Sequence, residues 1–433
     1  MLRSIQTTHS TSANTNKYFQ LLLLCGLSLI LLDSMITYFS RTLLGVFLPV
    51  STVLPVLLLI ISLRWGNKFI LPPKKYLIAL VMGFLGVVSG FIVNQEFVLT
   101  KIGAPFLAVC TFMTGYMVFR WIDRKGWVIN SVIIICGLYI IVCLIALFGL
   151  YPSLFPVINA EWSNHGVLEL RPEVTTDQNF QVFYLMPLIP LMVINTKFWK
   201  SLIILPLIFL GVIVLMKLQT RSGVMVYITL AIMTWATPLW SKRYNKSKMI
   251  LLPIVALVVI VVYHNAILNI ASLLIARFGE SGAEGAAEGR LISITYFFQH
   301  IWNPLWWLPR GYSDFMSQHH GDIPHSNITA MLLEAGILGV YMWFMLFLVP
   351  PIKLTSYYFK KKLHGIDIMV YLVGISMLVL QLTLNVPFFK QPWLWAGSVV
   401  GLLERLINSK SESNVQKEEI TTEEHIESSV RLK

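Results

Sequence analysis

The stretch that decides the fold is PHSNITAMLLEAGILGVYMWFMLFLVP, residues 324–350. It passes from a short polar turn into a long apolar run that contains one carboxylate, Glu334. A helix needs about 20 mostly apolar residues to cross a bilayer, and this run is long enough. The stretch therefore predicts a membrane span whose polar entrance places His325 at the membrane surface.

Similar apolar runs fill most of the remaining sequence. Of 433 residues, 56% are hydrophobic and only 12% are charged, about half the charged fraction of an average soluble protein. These properties predict an all-α polytopic membrane protein with about 12 transmembrane helices. The candidate spans lie near residues 18–39, 42–63, 76–94, 102–121, 127–150, 179–196, 199–217, 222–240, 249–270, 326–350, 367–388 and 392–408.

The basic residues predict the orientation of these spans. If both termini and the even-numbered connections share one side, that side holds 24 of the 33 lysines and arginines. Because basic residues accumulate on the cytoplasmic side, both termini are predicted to be cytoplasmic. The same asymmetry accounts for the net charge of +12, so nucleic acid is not an expected partner. The partner that composition does predict is the lipid bilayer.

The connections divide the chain into five parts. Residues 1–17 form a cytoplasmic leader, and residues 18–270 hold spans one to nine, with an outer loop at 151–178. A large, partly helical outer loop is predicted over 271–325, spans ten to twelve over 326–408, and a disordered cytoplasmic tail over 409–433. Within the large loop, the run FGESGAEGAAEGR at 278–290 predicts a mobile hinge because it is rich in glycine.

Two outer arginines are predicted to open helices. Arg221 starts the eighth span beside Thr220 and Ser222, and Arg290 follows the glycine-rich run. A helix N-terminus combined with an arginine favours anions, so the two residues together predict a diphosphate site. The alternatives are that Arg221 only extends to the membrane interface and that Arg290 pairs with a nearby glutamate.

His325 is the candidate general base because its imidazole titrates near neutrality. Ser326 and Asn327 are expected to cap the tenth span, which leaves His325 available for chemistry. The histidines at 319, 320 and 325 do not match a usual zinc spacing, so no metal is expected. Glu334 either orients His325 and lines the site, or makes a hydrogen bond that supports packing. Secondary candidates are Arg171, Arg310, Asn327 and Glu334.

Several short motifs occur in a characteristic order. They are D-Q-N at 177–179, R-S-G at 221–223, G-R-L at 289–291, N-P at 303–304, R-G-Y at 310–312 and H-S-N-x6-E-x-G-x2-G at 325–339. In these motifs the chain resembles the O-antigen ligases and the O-antigen and exopolysaccharide polymerases of bacterial envelopes. It departs from the family at residue 178, where glutamine stands in place of proline.

The resemblance implies a GT-C-like inner-membrane glycosyltransferase that needs no metal and no cofactor. Its donor would be a glycan on undecaprenyl diphosphate at the periplasmic face, and its acceptor a sugar hydroxyl. By motif, Arg221 and Arg290 would hold the diphosphate and His325 would activate the acceptor. One base without a covalent nucleophile suits a single displacement, hence inversion.

The sequence leaves the acceptor open. The outer loop at 271–325 is short for a ligase, which favours a polymerase that extends another lipid-linked glycan. Transfer of O-antigen to lipid A–core is the alternative. A twelve-span transporter of an anionic solute is the alternative of another class, and the lack of visibly paired, interrupted spans weighs against it.

Overall fold

The computed structural model describes most of the helical parts of the chain. The described residues are 20–32, 71–93, 99–121, 125–148, 157–160, 169–172, 182–194, 198–217, 221–240, 281–319, 324–384 and 390–409, with single positions at 35, 150, 261, 264, 268 and 388. The predicted spans 42–63 and 249–270 lie almost entirely outside these residues, as do the leader 1–17 and nearly all of the tail.

The regular secondary structure of the described residues is helical apart from one short strand pair. The elements are α1 (Gln20–Leu31), α2 (Lys74–Val93), α3 (Leu99–Trp121), α4 (Lys125–Leu147), β1 (Val157–Ala160), β2 (Glu169–Pro172), α5 (Val182–Leu185), α6 (Leu188–Ile194), α7 (Phe198–Lys217), α8 (Arg221–Trp240), α9 (Ser281–His300), α10 (Ser313–Gln318), α11 (Asn327–Trp343), α12 (Val349–Phe359), α13 (Ile366–Thr383) and α14 (390–409).

Three stretches of helix in the described part are long and apolar enough to cross a membrane: α2, α4 and the continuous stretch Asn327–Phe359. Their composition is that of a membrane-embedded protein. The helix bounds follow the predicted spans closely; for example, α2 covers 74–93 where the sequence predicts 76–94. The total of about 12 spans stays a prediction.

The segment 151–178, predicted to be an outer loop, contains a small antiparallel pair that the sequence analysis did not predict. Strands β1 and β2 pair so that Ile158 lies opposite Arg171. Of the eight strand residues, only Val157 and Ile158 are β-branched, so strand propensity gave little sign of this pair. Arg171 therefore lies on a strand rather than in an irregular loop.

The sixth predicted span is also interrupted. In place of one helix over 179–196, α5 ends at Leu185 and α6 begins at Leu188. Pro187 lies in the gap, and proline both lacks an N–H and clashes with the preceding turn. Both short helices are buried where the structure describes their side chains, so the interruption lies inside the protein.

The tenth predicted span, 326–350, is not one straight helix. Within α11, Gly336 has φ 62° and ψ −154°, a backbone conformation outside the helical region. The Gln381 Oε1 atom on α13 accepts hydrogen bonds from both Asn327 Nδ2 (2.8 Å) and Trp343 Nε1 (2.7 Å). In a straight helix those two residues would lie about 24 Å apart along the axis. The break at Gly336 therefore folds the two halves of α11 towards each other.

Helix α2 packs against α11 through a face of small residues, Gly83, Gly86 and Gly90. A side chain at Gly83 would overlap Met342, and one at Gly90 would overlap the Glu334 carbonyl oxygen. Small residues allow this close approach of two helix backbones, as is common among membrane helices. Through this contact the end of α2 at Gly90 lies against Glu334, two residues before the break at Gly336 in α11.

Two polar clusters mark opposite ends of α13. At its start, the buried Asp367 carboxylate pairs with Arg405 and with Lys125. At its end, Gln381 binds Asn327 and Trp343. Asp367 and Gln381 lie about 21 Å apart along the helix axis. The start of α11, with His325 before it, is therefore at the opposite end of the bundle from the Asp367 cluster.

Candidate functional site

The turn that carries His325 is attached to α9 through one serine. The His325 N–H donates to Ser293 Oγ (2.9 Å), and Thr329 Oγ1 donates to the Ser293 carbonyl oxygen (2.7 Å). Ser293 is fully buried, while the His325 side chain is half-buried. A single buried residue thus fixes the first turn of α11 against α9 and leaves the imidazole partly accessible.

Arg290 lies on the same face of α9, one turn before Ser293, because residues three apart face the same way on a helix. Its side chain is half-buried, and this burial lowers the pKa of Arg290. The guanidinium stays protonated, since arginine does not lose its proton in proteins. A partly desolvated cation is therefore held beside the turn that carries His325.

The structure corrects the prediction that Arg290 opens a helix. Helix α9 begins at Ser281, so Arg290 is its tenth residue, and the described part of the glycine-rich run, residues 281–290, is helical rather than a hinge. Three alanines and two glutamates in residues 281–289 have high helix propensity, which offsets the cost of the three glycines among them. The argument from free helix amides therefore does not apply to Arg290.

The start of α11 also differs from the prediction. Ser326 occupies the N-cap position, but its side chain makes no capping hydrogen bond. The Asn327 side chain binds Gln381 instead. Ser326 Oγ, Asn327 Oδ1 and Gln381 Nε2 are buried without a hydrogen-bond partner among the residues that the structure describes. The buried start of α11 thus contains polar atoms that have no hydrogen-bond partner among the described protein groups, and an internal water could satisfy them.

The segment after α9 inserts into the break in α11. The Ile337 N–H donates to the Trp307 carbonyl oxygen (2.9 Å), and the Arg310 and Gly311 N–H groups both donate to the Leu333 carbonyl oxygen (2.9 Å). Backbone groups that the break leaves without intrahelical partners are satisfied in this way. The R-G-Y motif therefore has a structural role, since it completes the interrupted helix.

Glu334 accepts a hydrogen bond from the Tyr312 hydroxyl, and its side chain is half-buried. Of the two roles considered from the sequence, this contact supports the one in packing, because it ties α11 to the R-G-Y segment. The described contacts of the Arg310 side chain are also with neighbouring protein groups. Its guanidinium lies 4.3 Å from the centre of the Trp306 ring, and Nη2 donates to the Leu305 carbonyl oxygen (3.1 Å).

Two further candidates are described only by their backbones. Arg221 is the first residue of α8, in agreement with the predicted span at 222–240. Arg171 lies in β2 opposite Ile158. The placement of both side chains is outside what the structure describes, so whether they approach Arg290 and His325 stays a prediction. Asp177 and Asn179 of the D-Q-N motif are also outside the described residues.

The structure adds two positioning residues that the sequence analysis did not select. Ser293 lies in an aromatic stretch and contacts a turn 32 residues away, so no local pattern indicates it. Gln381 could have been found, because a glutamine deep in an apolar span is costly unless it has partners. Together they fix the two sides of the turn that carries His325.

His325 and Arg290 are both half-buried and lie on elements that Ser293 joins. That their side chains converge on one site, with an anion bound beside a base, stays a prediction. No protein-family model matches the chain, and no curated protein matches it. The family resemblance of the motifs therefore rests on the motifs alone.

Proposed function

We propose that the chain is a membrane glycosyltransferase that moves a glycan from undecaprenyl diphosphate to an acceptor sugar hydroxyl, as an O-antigen or exopolysaccharide polymerase. The observation that carries the proposal is the Ser293 bridge between the His325 turn and the helix of Arg290. It joins the elements that carry a base and a half-buried cation, the two groups that transfer from a lipid diphosphate requires.

In the proposed reaction the acceptor hydroxyl oxygen attacks the anomeric carbon while His325 takes its proton. The bond between the anomeric carbon and the diphosphate oxygen breaks, and the electron pair leaves with undecaprenyl diphosphate. Arg290 and Arg221 would stabilise the charge that develops on that oxygen. Neither a metal nor a covalent intermediate is needed, and one displacement inverts the configuration.

The position of the site fits a substrate that is shared between membrane and water. The His325 turn lies at the end of the bundle opposite Asp367, Arg405 and Lys125. The basic residues of that cluster belong to the side that the sequence predicts to be cytoplasmic. We infer that His325 and Arg290 face the periplasm, with the lipid tail in the bilayer and the sugars in water.

The choice between polymerase and ligase rests on the large outer loop. A ligase must bind lipid A–core as well as the donor, and the segment 271–325 is small for that task. Much of it is also occupied. Helix α9 and the 3₁₀ turn Pro304–Trp306 pack against α11, and Phe315 of α10 lies in a small buried cluster with Tyr296 of α9 and Leu333 of α11. A second lipid-linked glycan is therefore the favoured acceptor, and lipid A–core is the alternative.

One observation favours a second candidate function, a transporter of an anionic solute. Transporter sites are often built where membrane helices are interrupted, and the structure has two such places, at Pro187 and at Gly336. Neither break was predicted from the sequence, which shows no paired interruptions of the kind that an inverted repeat would have. At Gly336, however, the interruption is filled by residues 307–311 rather than left open.

The test uses the full chain purified and reconstituted in vesicles with an undecaprenyl-diphosphate glycan. A polymerase extends the lipid-linked glycan and releases undecaprenyl diphosphate without lipid A–core, whereas a ligase releases it only when lipid A–core is added. A transporter forms neither product. Absence of release under both conditions would refute the transferase, and uptake of an anionic solute would then support the transporter.

A further inference from the structure

Helix α9 is apolar on two faces. Its inner face, with Tyr296 and Phe297 buried, packs in the protein near α11. On another face, Leu291 is 66% exposed and Phe298 is 58% exposed, and the same surface continues into Trp302 at 80%. A surface helix in water usually has one apolar stripe and one polar face, so the second apolar face needs a partner.

The apolar surface continues beyond the helix. Leu305 and Leu308 are each 70% exposed. We call the five exposed side chains of Leu291, Phe298, Trp302, Leu305 and Leu308 the outer apolar face. The stretch 291–308 contains no acidic residue and no lysine or arginine. An uncharged, aromatic surface of this size marks an interaction site rather than a solvated surface.

The exposure of the outer apolar face is a property of an ordered turn. Asn303 Oδ1 accepts from the Leu305 N–H (3.1 Å), and Trp307 Nε1 donates to the Ile301 carbonyl oxygen (2.9 Å). The Arg310 guanidinium lies over the Trp306 ring, 4.3 Å from its centre. The polar groups of the turn are thus satisfied internally while its large apolar side chains point away from the protein.

The neighbouring surface identifies the partner. A side chain at Gly90 of α2 would come within 3.2 Å of Pro309 Cβ, so the turn lies beside the end of a helix that is long and apolar enough to span a membrane. At that end of α2, Ile92 is 61% exposed and Val93 is 59% exposed. The outer apolar face therefore continues the lipid-facing surface of α2.

We propose that the outer apolar face inserts into the interface of the bilayer, so that α9 and the following turn lie on the membrane. Tryptophan and leucine on one face are typical of such interfacial segments. The same segment hydrogen-bonds into the break of α11 and holds the His325 turn through Ser293. Insertion then sets the height of His325 above the membrane. This inference requires only a membrane-embedded chain and does not depend on the transferase activity.

The experiment places a fluorescent label at single cysteines in the full chain. Cys25 is exposed and the other three cysteines are buried, so Cys25→Ser gives a background with little other labelling. Trp302→Cys and Leu305→Cys carry the label on the outer apolar face, and Gln318→Cys, exposed on α10, is the matched control. Each protein is reconstituted in vesicles of phosphatidylethanolamine and phosphatidylglycerol after its thermal unfolding is shown to match the background.

The label at positions 302 and 305 is expected to be quenched several-fold more strongly by a lipid-borne nitroxide than the label at 318. Iodide in the buffer should quench in the opposite order. Equal quenching at all three positions would overturn the proposal. So would protection of positions 302 and 305 from both quenchers, because another protein surface, such as a second copy of the chain, would then cover the face.

Discussion

Gly336→Ala tests whether the break in α11 is required by the fold. At φ 62° and ψ −154°, only glycine is commonly found, and another residue costs about 1–3 kcal/mol. The added Cβ would also overlap the Trp307 carbonyl oxygen and lie 3.1 Å from Pro309 N. If the Trp307 carbonyl oxygen moves away, it loses the hydrogen bond from the Ile337 N–H, which contributes about 1 kcal/mol to stability. We therefore expect the free energy of unfolding to fall by about 2–4 kcal/mol.

The matched control is Gly103→Ala in α3, where a Cβ would meet nothing within 4 Å. In a helix interior this change should stabilise by up to about 1 kcal/mol. Both variants are measured by denaturant unfolding in the same detergent, so the difference between them is the informative quantity. If Gly336→Ala were as stable as Gly103→Ala, the interrupted form of α11 would be wrong.

Two further predictions concern the groups around His325. Ser293→Ala leaves the partly buried N–H of His325 without its acceptor and should lower the free energy of unfolding by about 1–3 kcal/mol. The control is Thr295→Ala on the exposed face of the same helix; equal effects of the two changes would show that Ser293 does not anchor the His325 turn. Arg221→Lys and Arg290→Lys keep the charge but lose the planar fork, so each should slow transfer about 10–100-fold, the value of one charged hydrogen bond. Wild-type transfer rates in both lysine variants would refute the diphosphate site.

The sequence predicted those parts of the fold that depend on local composition. Long apolar runs predicted the bounds of α2, α4 and α7 to within a few residues. Lipid offers no hydrogen-bond partner to backbone N–H and C=O groups, so such a run forms a helix, in which these groups pair with each other. The start of α8 at Arg221 followed in the same way.

The interruption at Gly336 could not be predicted in this way. Hydropathy is averaged over a window of about 19 residues, and one glycine in an apolar run does not change the average. The break exists because residues 307–311 supply its hydrogen bonds, and this contact joins segments that are distant in sequence. The bond between Ser293 and His325 is likewise long-range.

For the candidate site, the sequence identified candidate residues but predicted part of their local structure wrongly. His325 lies before α11, as expected, but the cap assigned to Ser326 and Asn327 is absent because Asn327 binds Gln381. Arg290 is in the interior of α9, because the alanines and glutamates before it extend the helix. The glycine-rich composition favoured a loop in the prediction, but residues 281–289 are helical because the alanines and glutamates among them have high helix propensity.

The central claim is that His325 is the base in transfer from a lipid diphosphate. The most direct measurement compares wild type, His325→Ala and His264→Ala in vesicles that contain the undecaprenyl-diphosphate glycan, and follows release of undecaprenyl diphosphate. His264 is exposed and bonds only its own turn at Val261 among the described contacts, so its variant should match wild type. His325→Ala should be slower by about 10²–10⁴-fold while it unfolds like wild type. Release at the wild-type rate in His325→Ala would contradict the account.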